Sequence, residues 1–110
     1  MAPRRHIGER RRPFTLELPL ENPDGFGGVI RTWQPGPLLW GSIEHLSGRE
    51  RVTADRPEVA VTHRVTMRHR DGVDDRMRLI LGPRRFRIRS AADPDGTRRE
   101  LVCLVEEMRP

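Results

Sequence analysis

The side chains that could bind a metal or act as nucleophiles are few, and their spacing works against both roles. His6, His45, His63 and His69 are scattered and Cys103 stands alone, whereas a zinc site draws on close pairs of cysteines or histidines. Ser47 lies in Ser47-Gly48-Arg49-Glu50 and not in a nucleophile elbow. The glycine-rich turn Gly25 to Gly28 lacks the lysine and the following helix of a phosphate-cradling loop. Asp74 and Asp75 are adjacent carboxylates, but beside Arg76 on a short loop they read as a solvated turn. No catalytic residue, metal or cofactor is expected.

Charge carries more information. All 21 basic residues are arginine, with no lysine, against 16 acids, for a net charge of +5. Arginine matches phosphates and carboxylates with a forked donor, although a GC-rich coding bias produces the same composition. The charge is uneven: residues 1–13 sum to +4, 14–62 to −3, 63–89 to +6 and 90–110 to −2. A basic block between acidic ones is a polarised surface, suited to partners on more than one side.

The elements that must carry these charges are strands, because apolar residues recur at every second position and no long window repeats every 3.6 residues. Phe14, Leu16, Leu18 and Leu20 alternate with polar residues, and Pro19, which cannot donate to a ladder, points to an edge. Glu21 to Gly28 reads as a flexible turn, after which Val29 to Trp33 resumes as a strand. Pro35 and Pro37 are expected to break the chain at Gln34 to Pro37 before Leu38 to Leu46 continues. Ser47 to Pro57 is either a polar loop or one helical turn stopped by Pro57.

The clearest strand is 59–69, with Val59, Val61, Val65 and Met67 on one face and Arg64 and Arg68 on the other. His63 shares the apolar register and either titrates there or sits satisfied in a core or interface. Met77, Leu79 and Leu81 alternate with Arg76 and Arg78, Gly82-Pro83 turns the chain, and Phe86 and Ile88 alternate with Arg85, Arg87 and Arg89. Asp93 to Gly96 is another turn, and Leu101, Cys103 and Val105 form the last strand. Trp33 and Trp40 are expected as core or subunit-contact anchors.

Short strands between turns give a mainly β fold, a small antiparallel barrel or sandwich of about six to seven strands with extended loops. At 110 residues there is one domain: a flexible basic arm over 1–13, carrying Arg4, Arg5, Arg10, Arg11 and Arg12, and a barrel over 14–110 with a loop protruding near 47–58. A lone cysteine suits a reducing cytoplasm. The sequence shows neither the roughly 20 apolar residues of a membrane span nor a signal peptide.

If the strands at 59–69, 76–81 and 85–90 pair as a meander, Arg64, Arg68, Arg76, Arg78, Arg85, Arg87 and Arg89 stack on one face. Like charges facing one another destabilise a sheet, so an anion should lie nearby. Glu100 and Glu106, an acidic patch on a neighbouring subunit, and nucleic-acid phosphates all remain open. Exposed aromatics for stacking bases are not evident, which disfavours single-strand reading.

Several short motifs, in order, resemble a known family. They are Gly8 with the arginine-rich approach to the first strand, Gly27-Gly28 before the strand with Trp33, Trp40 before Ile43, and Ser47-Gly48-Arg49-Glu50. Thr62-His63-Arg64-Val65 with Met67-Arg68, Met77-Arg78, Phe86 with Ile88, and Arg99-Glu100-Leu101 follow. Together they resemble the small head-completion proteins of long-tailed bacteriophages and gene transfer agents, also called head-closure or stopper proteins.

The resemblance implies a non-enzymatic β-barrel that forms a homo-oligomeric ring in the neck of the virion. The ring would lie between a portal or adaptor protein above and a tail terminator or tail tube protein below, closing the channel that holds double-stranded DNA. Ser47, Gly48, Arg49, Glu50, Arg51 and Arg56, or the Glu21 to Gly28 tip, are then the candidate reaching loops. The basic arm becomes the segment ordered by a partner ring. The competing reading is a stand-alone basic β-barrel that binds nucleic acid through the arginine face. Residues 47–58 are poorer in apolar residues than the family pattern, and the basic start is longer.

Overall fold

The computed structural model describes residues 11–47 and 60–109. Among them are six strands, β1 (Arg12–Pro23), β2 (Val29–His45), β3 (His63–Arg68), β4 (Arg78–Leu81), β5 (Arg84–Ala92) and β6 (Glu100–Met108). Every pairing is antiparallel, and the strands close into a barrel in the order β1-β2-β3-β6-β5-β4. Alternation leaves a barrel and a sandwich open; the barrel that the family resemblance implies is present, and closure removes most of the open edges that make sheets aggregate.

The interior is filled by the apolar parity read from the sequence. Phe14, Val65, Leu79, Phe86, Ile88, Cys103 and Val105 are fully buried, with Met67 and Leu16 nearly so. Phe14 and Phe86 meet edge to face, with centroids 6.4 Å apart. Burial pushes the Cys103 thiol up to about 12, so it packs as a small hydrophobe and not as a nucleophile.

Three expectations change. The prolines do not break the chain at Gln34 to Pro37, because β2 runs through both. It pairs with β3 only from Gly41 to His45, so Pro35 and Pro37 lie where β2 has a partner on one side only and the missing donors cost little. A register shift between Thr15 and Glu17 absorbs the irregularity and brings Gly36 so close that a Cβ there would sit 2.8 Å from the Leu16 carbonyl oxygen. Second, of the two places expected for the tryptophans the core is excluded, since Trp40 is 49% exposed and Trp33 is half-buried on the outer face of β2; a subunit contact is still open to both.

Third, the arginine strands do not form a meander. β3 is flanked by β2 and β6, while β4 lies between β1 and β5. Arg64 and Arg68 are thus separated from Arg85, Arg87 and Arg89 by all of β6, and Arg76 stands before β4 begins. The physical reason is barrel closure, which inserts the last strand between β3 and β5 instead of leaving it at an edge.

The strands alternate in direction, so the connections 24–28, 69–77 and 93–99 emerge at one end, here called upper. The Gly82-Pro83 hairpin, the chain at Arg11 and Arg109, and the ends of β2 and β3 at His45 and His63 lie at the other. Gly82 has φ +58 ahead of a proline, the order of a type II′ turn. β1 starts at Arg12, inside the stretch read as an arm. It pairs with β4 only over Thr15–Glu17, which puts Pro19 at an edge as anticipated. Beyond that point Leu18–Pro23 and Val29–Gln34 pair only with each other, as a two-stranded ribbon projecting past the barrel.

Candidate functional site

Several of the barrel's arginines find their anions within the chain. On the outer surface, Glu17, Arg78, Arg87 and Glu106 sit side by side in one row across β1, β4, β5 and β6. Arg78 donates to Glu17 at 2.6 Å and its guanidinium stacks over Trp33, 4.2 Å from the ring centroid. Arg89, at the β5 bulge, pairs with Glu106. Arg64 pairs with Glu44 at 3.0 Å, and Arg76 forms a compact turn with Asp74 at 2.7 Å. Glu106 is one of the counter-charges expected from the sequence; Glu17 and Glu44 are not, because the sequence does not say which strands are neighbours.

Arg68 lies opposite Glu100 and is exposed. Arg85 donates to the Arg109 carbonyl at 3.2 Å, and Arg87 has no ion pair among the described residues. The seven arginines expected on one face are therefore dispersed over two sides of the barrel, and four of them are neutralised locally. Arg12 opens β1, and Arg11 donates to the Trp40 carbonyl at 3.3 Å. Arg4, Arg5 and Arg10, and Gly48, Arg49, Glu50, Arg51 and Arg56, lie outside the described residues; Ser47 is exposed just past β2.

A polar cap that sequence reasoning missed closes the lower end of the core. Arg84 and Glu107 have the same inward parity as Phe86 and Val105 and make two hydrogen bonds of 2.8 and 2.9 Å. The Arg84 guanidinium covers the Phe86 ring at 4.9 Å. His63 is buried beside them, its Nδ1 2.8 Å from the Thr62 hydroxyl and its ring against those of His45 and Phe86. Continuing the Arg84, Phe86, Ile88 alternation by one step is the signal that would have found this cap.

Glu107 is held below its ordinary 4.5, first by the Arg84 hydrogen bonds and then by the Arg84, His63 and His45 charges. Asp71 is likewise lowered by hydrogen bonds from Arg98 and His69. A carboxylate with a depressed folded pKa stabilises fully above its unfolded value and loses that contribution as pH falls through the folded one. The urea midpoint should therefore hold from pH 7 to about 5.5 and drop between about pH 5 and 3. Arg84→Met should flatten that acid limb; an unchanged limb would remove the cap from the explanation.

The ribbon is the other distinctive surface. Of the seven large hydrophobic side chains left exposed among the described residues, six are on the β1–β2 hairpin. Its tip is braced, not loose. The Asp24 carboxylate accepts from the Phe26 and Gly28 amides at 2.7 and 2.9 Å, and Gly25 and Gly27 supply φ of +84 and +85. Phe26 is left 94% exposed at the apex. At the ribbon's root is a cleft of about 520 Å³, lined by Trp33, Met77 and Met108 together with charged residues that include Arg78 and Arg87.

No three His, Cys, Asp or Glu side chains among the described residues gather as a metal site, and none of the described elements is a helix long and apolar enough to cross a membrane. The profile of the phage head completion proteins matches residues 5–108. The chain belongs to that family.

Two solved structures share the head completion protein's fold. One is the solution structure of a protein from Shigella flexneri 2a, 26% identical, with a TM-score of 0.70 over 87% of this chain and 90% of that one. The other comes from the virion of a native gene transfer agent particle, 25% identical, with a TM-score of 0.69 over 96% and 98%. No curated protein matches the sequence. The role of this protein is structural, in head completion.

Proposed function

We propose that this head completion protein acts as a stopper: copies form a ring in the neck of the particle, below the portal or adaptor protein, which closes the DNA exit channel and receives the tail. The observation that carries this reading is the family match over nearly the whole chain, joined to a structural likeness in a gene transfer agent virion. The two ends of the barrel support it by differing in charge. The upper connections 24–28, 69–77 and 93–99 hold six acids against four arginines. The lower end presents Arg11, Arg84, Arg85 and Arg109 against Glu107, with the basic arm leading into it. A ring between two different neighbours needs two different ends.

In this reading the arm with Arg4, Arg5, Arg10, Arg11 and Arg12 meets an acidic surface of the adjoining ring. The segment with Ser47, Gly48, Arg49, Glu50, Arg51 and Arg56 reaches the channel. Arg68, Arg85 and Arg87 remain free to face acidic protein or passing DNA, and no enzymatic step is involved. The stand-alone nucleic-acid binder is disfavoured because Arg64, Arg76, Arg78 and Arg89 already hold carboxylates.

The test is genome retention. Particles lacking the protein should hold at least tenfold less nuclease-protected DNA and carry no tails. Deleting residues 49–56 should leave the protein in the particle yet let DNA leak. Normal retention without the protein would overturn the reading, and failure of the deletion variant to be incorporated would make that segment an interface.

A further inference from the structure

We propose that the Phe26 tip of one copy seats in the cleft at the ribbon root of the next copy, so that the ribbons link the ring head to tail. This deepens the stopper reading and rests on it. The tip is a rigid apolar anchor: the hydrogen bonds from the Phe26 and Gly28 amides to Asp24 fix it, and Val29 and Ile30, more than half exposed, widen it. A two-stranded ribbon has little stability of its own in water, and a pre-ordered exposed aromatic is the kind of side chain that dominates an interface.

The same chain offers a receptor of matching chemistry. Trp33, Met77 and Met108 give the cleft an apolar part to its lining, and about 520 Å³ gives ample room for a phenyl ring. Of the arginines around it, Arg31, Arg76 and Arg78 are held by Glu21, Asp74 and Glu17, whereas Arg87 holds no carboxylate among the described residues. The incoming tip brings Asp24, whose hydrogen bonds from the Phe26 and Gly28 amides keep it ionised to lower pH than an ordinary aspartate. Tip and cleft are therefore complementary in polarity and in charge.

They do not meet within one copy: Phe26 is 94% exposed, and the four residue steps from Pro19 to Pro23 carry the tip about 13 Å along an extended ribbon. Two unlike patches on one subunit make a heterologous contact, which propagates from copy to copy and closes where the rotation allows.

The contact can be trapped in assembled particles carrying Val29→Cys, which keeps Phe26 and sits 61% exposed beside the tip, together with Met108→Cys. Mild oxidation should give a ladder of covalent multimers on a non-reducing gel, whereas either single substitution should give monomers and at most dimers. Phe26→Ala should weaken self-association at least tenfold while leaving the thermal melt of the monomer unchanged. Doubly substituted protein that enters particles in several copies without a ladder, or Phe26→Ala with unaltered self-association, would overturn the contact and leave the stopper reading standing. Particles that never hold more than one copy would instead sink the stopper reading itself.

Discussion

Phe86→Ala should lower the stability of the folded chain by about 3–5 kcal/mol, the range for removing a fully buried aromatic ring from a packed core. Phe86 is 0% exposed and joins separate parts of the barrel. Its ring meets Phe14 of β1 edge to face at 6.4 Å and His63 of β3 at 5.4 Å. The Arg84 guanidinium lies over it at 4.9 Å, so truncation also uncovers the ion pair with Glu107. A small domain has about 5–15 kcal/mol in all, so this single change takes a large share. With a urea slope of about 1–3 kcal/mol per molar, the midpoint should fall by more than 1 M. A loss under 1 kcal/mol would mean that the ring is not the centre of a closed barrel. Phe86→Leu, which keeps apolar volume, should recover more than half of the loss.

That Phe86 points inward was legible in the sequence, as was the parity of Val65, Met67, Leu79, Ile88 and Cys103. Alternation is a local property, and a half-buried strand announces its two faces residue by residue. Strand neighbours are not local. Nothing between His63 and Met108 says that β6 inserts between β3 and β5, so the arginines of β3 and β5 were gathered onto a face that the barrel divides. The continuity of β2 through Pro35 and Pro37 was hidden for the same reason, since a proline is tolerated or not according to whether a strand lies on its N–H side. The tip shows the opposite failure. Gly25, Phe26, Gly27 and Gly28 read as a flexible reversal, but Asp24 is correctly placed to accept two amides, and the turn becomes a fixed mount for an aromatic ring. The family resemblance succeeded where periodicity could not, because it rests on the order of many short motifs.

Replacing Glu17, Glu44 and Glu106 together by glutamine should turn a weak DNA binder into a salt-sensitive one. In the native chain these carboxylates hold Arg78, Arg64 and Arg89, so a phosphate approaching the barrel must displace an existing partner before it gains one. Glutamine keeps the shape and a neutral acceptor, and partly exposed ion pairs contribute only about 0–1 kcal/mol each, so the fold should survive. Each guanidinium released to a phosphate adds about 0.9 to the slope of log affinity against log salt concentration. Three of them should steepen it by about 2.7, a loss of roughly 40-fold in affinity between 50 and 200 mM salt beyond that of the native chain. Fluorescence anisotropy with a labelled duplex measures this directly. An unchanged slope would show that the carboxylates do not mask these arginines. A native chain that already binds duplex DNA with a slope of six or more would favour the stand-alone nucleic-acid binder over the stopper. The masking also suits the proposed position: a ring around a channel must let a duplex leave on ejection, and arginines already committed to glutamates present it with charge that is balanced and does not grip.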